Sequence, residues 1–110
     1  MRVIYKEPGK APEWREIEDT LRTFQRLVGG YIETVTMGPG IVVVCNDEGR
    51  IRNLEPNCVV VTQYVGPVTF VGNIAIVGIT EDGEEFSSFE GTVDETDDHS
   101  RIYAFAGRKR

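Results

Sequence analysis

Leu27-Val28-Gly29-Gly30-Tyr31-Ile32-Glu33 is the stretch on which the fold reading turns, because the hydrophobic period changes across it. Upstream, Leu21, Phe24, Leu27 and Val28 recur at three- and four-residue spacing, which makes one apolar stripe along a helix. Downstream, Tyr31, Glu33 and Val35 alternate with Ile32, Thr34 and Thr36, the period of a strand. Between them, two glycines let the backbone take positive φ without a Cβ clash, which is how many helices stop. The pattern predicts a helix over Thr20 to Val28 with Asp19 as its N-cap. The glycine pair is a stop signal and no phosphate loop. A helix C-terminus presents carbonyls and partial negative charge, whereas anions bind at the other end.

Outward from this junction, the rest of the chain reads as strands. Arg2 to Tyr5 and Glu13 to Glu18 flank a Pro8-Gly9 turn of type II composition. Ile41 to Cys45 is a continuous β-branched run, as expected of a buried strand. Asn46-Asp47-Glu48-Gly49 has hairpin chemistry, with Arg50 to Asn53 expected to pair back. Cys58 to Val61 resumes the strand pattern, and Val68 to Ile79 is strongly β-like despite Gly72 and Gly78. Glu81 to Glu84 is a second turn, with Glu85 to Phe89 as its return strand. Glu90 to Ser100 reads as an acidic loop, and Arg101 to Ala106 as a final alternating strand before a basic tail.

These elements predict an α+β fold: a mostly antiparallel, curved β-sheet or partial barrel packed on one α-helix. The 110 residues form a single domain, 1–110, with a core over 1–89 and an acidic loop and C-terminal strand over 90–110. Phe24, Leu27, Val42, Val44, Phe70, Ile74 and Ile76 are the expected core. Cys45 and Cys58, each beside a valine run, are expected to pack as reduced small hydrophobes. The longest nearly apolar run, Val68 to Ile79, is too short to cross a bilayer, and no apolar signal region opens the chain. The expected location is the cytosol, with no membrane partner.

Charge is unevenly distributed. Residues 53–100 carry ten acids and no lysine or arginine, while Arg101, Arg108, Lys109 and Arg110 make the last ten residues basic. A net charge of −6 counts against a nucleic-acid binder that works by neutralising phosphates. The bland reading of the acidic block is a solvated rim.

Five segments, in this order and spacing, carry a family resemblance: Tyr5-Lys6-Glu7-Pro8-Gly9-Lys10, the Leu27 to Glu33 junction, Val44-Cys45-Asn46-Asp47-Glu48-Gly49, Leu54-Glu55-Pro56-Asn57, and the Gly83 to Phe89 hairpin. Residues 1–89 resemble a small phage and mobile-element domain of unknown function. Similar chains usually end soon after the last hairpin, and this chain departs from them there. Because that family has no settled activity, the resemblance implies a setting only: a phage accessory gene acting on the host.

Catalytic machinery is not legible. The sole histidine, His99, lies in an acidic segment without a neighbouring nucleophile, and triad chemistry needs a held nucleophile, base and orienting group. Asp94, Asp97 and Asp98 miss the spacing of a calcium loop. The chain is therefore expected not to be an enzyme and to need no cofactor or metal.

What remains is a binding constellation of Arg22, Arg26, Tyr31, Asn46, Arg50, Arg52 and Arg108. Arginine supplies charge for phosphate, an aromatic a stacking face, and asparagine an amide for base edges. Arg22 and Arg26 share a helix face, and Arg50 and Arg52 share a face of the expected strand. Three functions fit. The preferred one is a phage anti-defence protein that binds and sequesters a small nucleotide-type immune signal as a homo-oligomer. The alternatives are an acidic DNA mimic that blocks a host DNA-binding enzyme, motivated by nine acids within residues 81–98, and a structural module that self-associates through a sheet edge.

Overall fold

The stretch Val42–Asn46, three valines followed by Cys45 and Asn46, is buried at every position. A strand can lack a wet face only if something covers both of its sides. The computed structural model, which describes residues 1–107, shows what does. In chain order the elements are β1 (Arg2–Lys6), β2 (Glu13–Glu16), α1 (Leu21–Val28), β3 (Ile32–Thr36), β4 (Val42–Asn46) and β5 (Pro56–Thr62). They continue as β6 (Val68–Val71), β7 (Ile74–Ile79), β8 (Phe86–Ser87), β9 (Gly91–Glu95) and β10 (Arg101–Ala106).

The strands form two sheets. The larger has the order β2-β1-β7-β4-β3, with β8 also on β7, and the smaller has the order β6-β5-β10-β9. One face of the larger sheet turns Ile4, Val43, Cys45, Ile74 and Ile76 towards Cys58, Val60, Phe70, Ile102 and Ala104 of the smaller sheet. This inter-sheet layer is the main core. On the opposite face, Val3, Val42, Val44, Ala75 and Val77 meet Phe24 and Val28 of the helix. Period-two alternation along β4 thus sends consecutive valines to two different cores.

The expected fold class is corrected here. Strands make up 46% of the described residues and one short helix 7%, and these residues form two sheets with no closed barrel among them. The fold is mostly β, two sheets packed face to face, and the eight-residue helix covers only part of one outer face. The error has a physical source. Val68 to Ile79 reads as one strand, yet the chain breaks at Gly72, φ 72, and passes from the smaller sheet to the larger. Asn46 to Gly49 forms its turn, yet no return strand follows over residues 50–53, because the chain crosses to the other sheet as β5. β10 pairs with β5 in parallel, a non-local choice that local patterns do not encode. The acidic segment also contains β9, antiparallel to β10, where a loop was expected.

Other local readings hold. Pro8-Gly9 forms its turn, with Gly9 at φ 75 and the Lys10 amide donating to the Glu7 carbonyl at 3.1 Å. β10 alternates buried Ile102 and Ala104 with exposed Tyr103 and Phe105. The helix starts one residue later than expected, and Thr20 is the N-cap, its hydroxyl accepting from the Thr23 amide at 3.1 Å. Of the expected core, only Leu27 is half-buried, packed at the margin of the helix layer. Cys45 and Cys58 are free and buried. Among the described residues, no helix is long and apolar enough to cross a membrane.

Candidate functional site

The last four carbonyls of a helix lack partners inside it and must be satisfied from elsewhere. Here the glycine pair, Asn73 and the β4–β5 turn share this work. Gly29 takes the left-handed conformation, φ 79, and both Gly29 and Gly30 donate their amides to the Gln25 carbonyl, at 2.8 and 3.0 Å. Asn73 Nδ2 donates to the Leu27 carbonyl (3.2 Å), Asn46 Nδ2 to the Val28 carbonyl (3.0 Å) and Arg52 Nη1 to the Gly29 carbonyl (3.2 Å). A cation at a helix C-terminus also meets the negative end of the dipole. Gly30 leaves room for these bonds: a Cβ there would lie 2.9 Å from Asn46 Nδ2 and force that amide to shift.

The same turn is braced internally. Asn46 Oδ1 accepts from the Glu48 amide at 2.7 Å, the Arg52 amide donates to the Glu48 carbonyl at 2.8 Å, and the Leu54 amide donates to the Gly49 carbonyl at 2.9 Å. Asn53 sits at φ 61, tolerated by asparagine better than by most residues. Residues 46–54 are therefore a rigid wall fixed to the helix end, and cavities lie on both sides of it.

On one side is a groove of about 360 Å³ between β3 and β6, the edge strands of the two sheets. Glu33, Asp47 and Arg50 bring charge to it, and Val35, Cys45 and Phe70 give an apolar floor. Arg50 Nη2 donates to the Thr69 carbonyl at 3.2 Å, which spans the wall and β6. Burial, reinforced by the Glu33 and Asp47 carboxylates, pushes the Cys45 thiol up to about 11. A thiol held protonated is a poor nucleophile. On the other side, Gln25, Gly30, Tyr31, Glu48 and Arg52 line a shallower cleft of about 240 Å³.

The seven residues singled out from the sequence are thus divided. Asn46 and Arg50 line the groove, while Tyr31 and Arg52 line the cleft. Arg50 and Arg52 lie on the turn and not on a strand. Asn46 is buried and both ends of its amide are engaged, so its work is to hold the wall. Arg22 and Arg26 are exposed along the helix and line neither cavity. Arg108 lies outside the described residues.

One buried ionisable group escaped the sequence reading. Lys6 is 1% exposed, and its ammonium donates to Asn57 Oδ1 at 2.8 Å and to the Glu7 carbonyl at 3.0 Å. Burial lowers its pKa from the ordinary lysine value. The signal was present: Lys6 shares the period-two face of Ile4, which points into the inter-sheet core. The Asp98 carboxylate, by contrast, serves a local turn. It accepts from the Thr96 and Ser100 hydroxyls at 2.8 and 2.7 Å, which hold it down to about 2. His99 pairs with Glu95 across that turn. Among the described residues, no three metal-ligating side chains converge.

Comparison with curated proteins and with solved structures gives no significant match in either case. A family model described as a domain of unknown function, DUF3846, matches residues 1–99, ten residues beyond the stretch on which the sequence resemblance rested. That match covers all elements through β9. The chain belongs to the DUF3846 family.

Proposed function

We propose that this protein binds and sequesters a small nucleotide-type molecule without chemical turnover, as a phage accessory protein that removes an immune signal in the host cytosol. The groove between β3 and β6 carries this reading. Its volume, about 360 Å³, is in the range of small-molecule sites. Arg50 supplies the one guanidinium on its lining, the kind of group that grips a phosphate. Glu33 and Asp47 repel phosphate and accept hydrogen bonds, so they favour the ribose hydroxyls or base amino groups of the same ligand. The apolar floor at Val35 and Phe70 suits the face of a base.

The protonated Cys45 thiol supports binding over catalysis, since it is the one thiol on the groove lining and is not activated. The phage setting is motivated by the resemblance of residues 1–89 to phage and mobile-element domains. The nucleotide class is motivated by the arginine and the paired acceptors. The proposed active form is a homo-oligomer, and no nucleic acid, cofactor or metal has a part in this function. Titration calorimetry against cyclic oligonucleotides and ADP-ribose derivatives tests the reading. Saturable heat is expected, and Arg50→Ala should weaken binding about tenfold or more, as loss of a charge-assisted contact does. Absence of heat with every compound, or binding indifferent to Arg50→Ala, would refute it.

A further inference from the structure

Ile51 is 86% exposed, the most exposed large hydrophobic residue in the described chain. It stands on the braced β4–β5 turn between Arg50 and Arg52, so its position is fixed by the backbone bonds of that turn. A rigidly held apolar side chain between two arginines has the composition of an interface anchor.

A matching recess lies at the other end of the molecule. Pro39, Tyr64, Ile79, Ser88, Glu90 and Ala106 line a cleft of about 290 Å³. It offers apolar surface at Ile79, Tyr64 and Ala106, with a carboxylate on its lining. The Thr80 to Glu85 hairpin follows directly from Ile79 and presents exposed Glu81, Glu84 and Glu85. None of Arg50, Arg52, Glu84, Glu85 and Glu90 forms an ion pair among the described residues.

The two features cannot meet within one chain. Strand β7 begins beside Asn73, which bonds the helix end near the Ile51 turn, and it ends at Ile79 in the recess. Six residues of strand separate them by about 20 Å. We infer that Ile51 of one copy docks into the Tyr64–Ile79–Ala106 recess of a second copy, with Arg52, which lies off the ligand groove, facing its Glu84, Glu85 and Glu90. Because knob and recess are different surfaces, the contact is head-to-tail and propagates to a ring or a filament.

The test uses the full chain, with native mass spectrometry and light scattering. Wild type should associate, and added salt should weaken the assembly, because exposed opposite charges are screened. Ile51→Glu blocks the knob and Glu90→Arg blocks the recess, so each alone should be monomeric. Mixed together they retain one intact interface, and a heterodimer that grows no further is expected. Circular dichroism checks that each variant is folded. If Ile51→Glu is not, Ile51→Ala takes its place, with self-association weakened about tenfold or more. Monomeric wild type, association unchanged by either knob variant, or no heterodimer from the folded mixture would each overturn the inference.

Discussion

Asn46→Ala tests whether the helix end and the groove wall are one mechanical unit. The side chain makes two bonds, one to the Val28 carbonyl at 3.0 Å and one from the Glu48 amide at 2.7 Å. Val28 is buried, so its carbonyl loses a partner that water cannot readily replace, at a cost of about 1–3 kcal/mol. Glu48 is exposed, and its amide can turn to solvent, so that loss is nearer the net value of about 0.5–1.5 kcal/mol. Together they predict destabilisation of about 1.5–4.5 kcal/mol, a large share of the roughly 5–15 kcal/mol available to a domain. Urea denaturation followed by tryptophan fluorescence measures it. Asn46→Asp separates the contributions: it keeps the Glu48 acceptor, loses the donor to Val28 and sets negative charge at the negative end of the helix dipole. It should be no better than alanine. Gly30→Ala drives a Cβ into Asn46 Nδ2, so the two alanine changes should be less costly together than their sum. A loss under about 1 kcal/mol for Asn46→Ala, the scale of surface substitutions, would refute the reasoning.

Other predictions address the rest of the fold. Phe24 is 2% exposed and meets Phe86 edge-on at 5.2 Å, so Phe24→Ala should cost about 3–5 kcal/mol in the same assay. Cys45 and Cys58 both have folded pKa values near 11, so at pH 8 about one thousandth of each is thiolate. Labelling by a thiol reagent should therefore be slow until urea unfolds the chain. A raised folded value also means stability that is complete below pH 9.0 and lost as pH climbs to about 11. Lys6 acts in the opposite sense, because its folded value lies below 10.5 and its contribution rises with pH up to 10.5. Denaturation across this range should show a steeper alkaline loss for Lys6→Met than for wild type.

Much of the local structure was legible because its signals are local. The Gly29-Gly30 stop, the Pro8-Gly9 turn and the alternation over Arg101 to Ala106 each follow from backbone permission or period-two burial. What failed was the assignment of strands to sheets. Turn chemistry at Asn46 to Gly49 is the same whether the chain pairs back or crosses over, and here it crosses. Gly72 reads as a bulge or a close backbone approach, yet its consequence, a change of sheet, depends on distant partners. The uninterrupted burial of β4 recorded two covering layers, and one helix was too short to supply both. At the candidate site, where the structure places each residue was not legible. Their chemistry suits Asn46 and Arg52 to ligand contact, because amides and guanidiniums bind nucleotides. In the structure they reach carbonyls at the helix end, a placement that only the approach of the turn to the helix reveals.

The groove walled by residues 46–54 and flanked by β3 and β6 is the proposed seat of a nucleotide-type ligand. Heteronuclear NMR of isotope-labelled protein titrated with a cyclic dinucleotide tests it most directly. Saturable shifts concentrated on Glu33, Val35, Arg50, Thr69 and Phe70, which lie on that groove, are expected. Shifts centred on Arg22 and Arg26 of the helix face, or none at saturating ligand, would contradict it.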